Sequence, residues 1–116
     1  MTEKTIKYLS DIQYAISLID DFLKDIESFS IYQYDPKSQS AIERQLEIIG
    51  EIINKFSREE NGVVLSHTKQ MVDFHRRIIH SSENIDASVV WEILKNQLSL
   101  LQKEVDEILN GLIKNK

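Results

Sequence analysis

Residues 74–82 read Phe-His-Arg-Arg-Ile-Ile-His-Ser-Ser, and they gather the side chains best suited to proton transfer and phosphate chemistry. Two of the three histidines, His75 and His80, lie here, and His67 is close upstream. Two adjacent arginines, Arg76 and Arg77, stand between them. On a helix, Arg76 and His80 (i, i+4) lie about 40° apart around the axis, and Arg77 and His80 (i, i+3) about 60° apart on the other side. Histidine gives or takes a proton near neutral pH. Arginine is a permanent, forked donor matched to phosphate oxygens. The set suits phosphodiester cleavage in RNA, with the 2′-hydroxyl as nucleophile, His80 as base or acid and arginine stabilising the phosphorane. That chemistry needs no metal. One histidine serves poorly as both base and acid, so a second copy from another chain would complete the site.

A purely structural account competes with this one. Cations in the last turn of a helix are stabilised by its dipole by about 0.3–1 kcal/mol each, and Arg76 and Arg77 can pair with surface acids. Local spacing alone favours that account. A metal site is disfavoured further, because His75 and His80 are not on one face and no carboxylate stands between them at ligand spacing. The chain has no phosphate-cradling glycine loop and no nucleophile elbow. Glu43, Glu47 and Glu51 share a helix face, but the Glu-x-x-His pairs of a di-iron bundle are absent, and a solvated acidic face explains them better.

The segment is set in an acidic chain of 116 residues with net charge −5, 41% hydrophobic and 28% charged. That composition predicts one soluble, folded domain over 1–116. Nineteen acids against 14 bases argue against a general nucleic-acid coat. A focused cationic cleft remains open, since it acts within a Debye length of about 10 Å. Absence of cysteine excludes disulfides and thiolate metal sites and fits a reducing compartment. With no apolar signal core and no 18-residue apolar run, the expected location is the cytoplasm, with no membrane partner.

Three glycines and one proline favour long helices. The first is expected after Thr2, with Ile6, Leu9, Ile12, Ile16, Ile19, Leu23 and Ile26 as its apolar stripe, ending near Ser28. Residues 29–36 break the period and read as a connection whose Tyr32 and Tyr34 anchor it to the bundle. A second helix, about 38–56, carries an apolar band of roughly 160°, wide enough to meet several helices or a second chain. Gly50 in its middle costs about 1 kcal/mol relative to Ala, a cost that close helix–helix approach usually offsets. A polar loop from Ser57 to Gly62 leads to a third helix, about 67–80, with Ser66 as candidate cap and Met71, Phe74 and Ile78 inward. Asp86 should cap a fourth, uninterrupted over 87–110. The expected fold is all-α, an up-down antiparallel four-helix bundle.

In order, these features resemble the HepT-like branch of the HEPN family. Residues 41–51, Ala-Ile-Glu-Arg-Gln-Leu-Glu-Ile-Ile-Gly-Glu, look like its second-helix signature. The 75–80 segment, followed by Val-Val-Trp-Glu-Ile-Leu at 89–94, resembles its later half. The resemblance implies a bundle that dimerises, a metal-independent ribonuclease site at the dimer cleft with no cofactor, and a toxin role. It also implies a minimal nucleotidyltransferase as antitoxin. The family motif is Arg, four residues, His, one residue, Tyr. Its His is His80, its Arg position holds His75, and its Tyr position holds Ser82. His75 does not reproduce a guanidinium fork, so Arg76, well placed on the helix against His80, is the candidate for that role, with Arg77 a further phosphate contact. By resemblance the family tyrosine is the residue that the antitoxin modifies with AMP; Ser82 keeps a hydroxyl on a shorter side chain. The leading expectation is a HepT-like toxin ribonuclease acting as a homodimer. The alternatives are a catalytically silent HEPN module that binds nucleotide or a nucleotidyltransferase partner, and a generic helical interaction protein.

Overall fold

The computed structural model describes residues 1–60, 62–80 and 86–114, and the side chains of these except at 70, 77–80, 113 and 114. Helix α1 spans Glu3–Leu23. Thr2 caps it through a reciprocal pair of hydrogen bonds with Thr5, the geometry that satisfies two otherwise orphaned amides. It ends before the expected Ser28, because Ser28 instead accepts from the Ile31 amide and caps a short helix α2, Phe29–Tyr32. Helix α3, Pro36–Glu59, is longer than its apolar period indicates. Asp35 accepts from the amide and hydroxyl of Ser38 at 3.1 and 2.7 Å, and Pro36 occupies the first turn, where its missing N–H costs nothing.

Helix α4, Lys69–His80, starts later than expected. Ser66 is not its cap: the amides of Ser66 and His67 donate to the Glu104 carboxylate at 2.7 and 3.3 Å. The last rod is capped by Asp86, as its sequence indicates. It comprises α5, Ala87–Glu92, a π-helical turn, Ile93–Gln97, and α6, Leu98–Lys114. The π turn, unforeseen in the sequence, is marked by the Leu98 amide reaching back five residues to the Ile93 carbonyl. No strand occurs among the described residues. No described helix is long and apolar enough to cross a membrane.

The order is up, down, up, down. Lys4 meets Glu59 at 2.7 Å, tying the start of α1 to the end of α3, and Gln13 meets Asp106 at 2.6 Å, tying α1 to α6. Helix α3 packs on both α1 and α4, and α2 closes against α3 and α5. The wide apolar band of α3 is thereby used by several helices of the same chain. Ile12, Ile16 and Ile19 of α1, Leu46, Ile49 and Phe56 of α3, Met71 of α4 and Leu101 of α6 are almost wholly buried together. Such burial stabilises by about 1.5–3 kcal/mol per side chain. Of the two loop tyrosines, Tyr32 is buried against Trp91, their rings 5.4 Å apart, whereas Tyr34 is 82% exposed and anchors nothing.

Candidate active site

Gly50 decides how α3 and α4 meet. A Cβ built there would stand 2.5 Å from His75 Cβ and 2.9 Å from the Met71 carbonyl oxygen. Only a residue without a side chain lets the two backbones approach this closely, and that approach presses His75 against α3. The His75 ring has its Nδ1 buried with no hydrogen-bond partner among the described residues. The same residue borders an open cleft of about 380 Å³, whose other walls are Glu51, Asn54, Lys55, Ser57 and Arg58 of α3.

The sequence-selected residues are divided by this geometry. His75 lies at the α3–α4 seam. Arg76, one residue on and about 100° around the helix, is exposed and reaches Asp73 at 3.8 Å in an i, i+3 pair. A pair that long and that solvated holds the guanidinium weakly, so Arg76 keeps its capacity for another anion. The backbone of Arg77 and His80 belongs to the last turn of α4. Their side chains, like Ser82, lie outside the described residues. His67 is exposed, away from this seam, beside Leu100, Lys103, Glu104 and Glu107.

The three glutamates assigned to a solvated face separate in the structure. Glu47 pairs with Arg44 at 3.2 Å, and Glu51 pairs with Lys55 at 3.3 Å within the cleft. Glu43 is held above its ordinary carboxylate range by burial. Burial also pushes the Tyr32 phenol up, with the charges of Glu43 and Asp35 adding to it. Among the described residues, no three His, Cys, Asp or Glu side chains converge as metal ligands. Lys55 and Arg58 were not singled out in the sequence. Their signal was there: 51, 54, 55 and 58 form one polar stripe at i, i+3, i+4 and i+7 beside the glycine that brings α4 close.

The molecule is an all-α bundle that carries a His-Arg-Arg-Ile-Ile-His segment at the end of one helix and a polar cleft beside it. The family model for HepT-like ribonucleases matches residues 12–108, and the chain belongs to that family. A relative from Thermococcus cleftensis named "Probable ribonuclease HepT" is 33% identical over 105 residues, covering 87% of this chain and 92% of the relative. Two Methanocaldococcus jannaschii proteins, each named "Putative RNase", are 29% identical over 114 residues (97% of this chain, 93% of the relative) and 32% identical over 110 residues (91% and 98%). No solved structure gives a significant match.

Proposed function

We propose that this protein is a metal-independent ribonuclease acting as a homodimer, and the toxin of a pair whose antitoxin is a nucleotidyltransferase. Membership of a ribonuclease family, together with an Arg-Arg-Ile-Ile-His segment closing α4, carries the reading. In the reaction the 2′-oxygen attacks the adjacent phosphorus while the bond to the 5′-oxygen breaks. His80 of one protomer takes the 2′-hydroxyl proton, and the second protomer's copy of that histidine protonates the departing 5′-oxygen. Arg76, with Arg77, offsets the charge that builds on the phosphorane oxygens. The products are a 2′,3′-cyclic phosphate and a 5′-hydroxyl.

A second reading is favoured by two residues. His75 and Ser82 stand where the family motif has arginine and tyrosine, which is consistent with a catalytically silent module that binds nucleotide or a nucleotidyltransferase partner. End-group analysis of RNA incubated with the protein in excess chelator separates the two. Cyclic phosphate ends support the nuclease; intact RNA supports the silent module. Light scattering at micromolar concentration tests the composite site, which a stable monomer would exclude.

A further inference from the structure

We propose that the α3–α4 cleft is a phosphate subsite for a single RNA strand, with Arg58 its principal cation and Lys55 a second one that Glu51 holds in reserve. This inference rests on the ribonuclease reading and locates where substrate is gripped away from the cut. Glu51, Asn54, Lys55 and Arg58 form one stripe of α3, and His75 of α4 closes the other side. Arg58 is exposed and makes no ion pair among the described residues. Its acidic neighbour Glu59 makes its ion pair with Lys4 at 2.7 Å and meets the guanidinium only as a through-space charge. Lys55 and Glu51 are each about half exposed, so their 3.3 Å contact is weak enough for a phosphate to replace. Asn54 and Ser57 add neutral hydrogen-bonding groups suited to phosphate or sugar oxygens.

Position along the helices sets the role. His75 precedes His80 by five residues, about 7.5 Å along α4. Helices α3 and α4 run antiparallel, so Arg58, near the end of α3, lies further still from His80 in the same direction. The cleft therefore holds the strand beside the scissile phosphate, and its residues act on affinity more than on the chemical step.

The test is binding of a labelled 2′-deoxy oligonucleotide, which lacks the attacking hydroxyl and cannot be cut, to the full chain. Arg58→Gln should weaken binding about tenfold, the loss expected for one charge-assisted contact. It should also flatten the slope of log affinity against log salt by about 0.7, the single-strand value for one phosphate. Arg58→Lys should retain most of the affinity, and Glu51→Gln should tighten binding by freeing Lys55. Unchanged affinity and slope in Arg58→Gln overturn the subsite, as does a lowered Tm with unchanged binding, which would mean that Arg58 serves only the end of α3. Cleavage of the matching RNA is read separately. If His80→Ala abolishes cleavage while Arg58→Gln alters neither KM nor binding, the nuclease stands and the subsite falls. If wild type cuts nothing yet binds through Arg58, the subsite stands and the nuclease falls.

Discussion

Gly50 and His75 meet across the α3–α4 seam so closely that a Cβ on Gly50 would lie 2.5 Å from the His75 Cβ. One glycine thus fixes the spacing of two helices and the depth at which His75 sits. Helix propensity and packing act in opposite directions there. Alanine would gain about 1 kcal/mol in an exposed helix, but overpacking a tight seam costs about 1–3 kcal/mol. The Met71 carbonyl at 2.9 Å is backbone and cannot swing aside. Gly50→Ala should therefore lower the melting temperature by several degrees, at roughly 4 °C per kcal/mol. His75→Ala should not rescue it, because the offending Cβ remains. A stabilised Gly50→Ala would show that propensity wins.

The same seam makes His75 a position for gain of function. A guanidinium there would stand five residues before His80, the spacing of the motif that the sequence resembles. The change keeps the Cβ that already fits against Gly50. His75→Arg should keep the fold and raise the rate of RNA cleavage about tenfold, the worth of one charge-assisted contact to a phosphorane oxygen. A rate no higher than wild type would mean that Arg76 already fills the role.

Tyr32 packs against Trp91, yet its hydroxyl is buried with no partner among the described residues. An unsatisfied buried hydroxyl is a liability that phenylalanine removes while keeping the ring. Tyr32→Phe should leave stability unchanged or raise it by up to about 1 kcal/mol in thermal or urea unfolding. A loss larger than that would place a hydrogen-bond partner at the hydroxyl.

Glu43 gives a pH signature. Burial raises its carboxyl above the ordinary value of 4.5, so the folded state holds this proton more tightly than the unfolded chain. Stability is lost as pH rises from the ordinary glutamate range through the folded-state value, and at neutral pH the buried charge is a net cost. The side chain is only partly buried, so solvent screens the charge and keeps the effect small. Glu43→Gln should be slightly more stable than wild type at pH 7, and the advantage should vanish below pH 4.5. An advantage independent of pH would assign it to something other than this carboxylate.

How far the chain could be read from its sequence follows from which forces were local. The stripes of α1 and α3 and the caps at Thr2 and Asp86 were legible because period and capping are properties of neighbouring residues. Gly50 was legible as a close approach, although its partner His75 was not. The early end of α1 was hidden because Ser28 caps α2 instead, and the late start of α4 because Glu104, far along the chain, takes the amides of Ser66 and His67. The cleft was missed because Lys55 and Arg58 look like ordinary solvated charges until α4 is laid beside them. His80 was selected by resemblance rather than by spacing, since a histidine in a last helical turn is equally explained by the helix dipole.

The central claim is that His80 transfers a proton in RNA cleavage. Single-turnover cleavage of a defined RNA in excess chelator, with wild type and His80→Ala at matched folded concentration, tests it most directly. Cleavage by wild type, reduced at least a hundredfold in His80→Ala as expected for loss of a general acid–base, is the predicted result. Equal rates for the two proteins would contradict it.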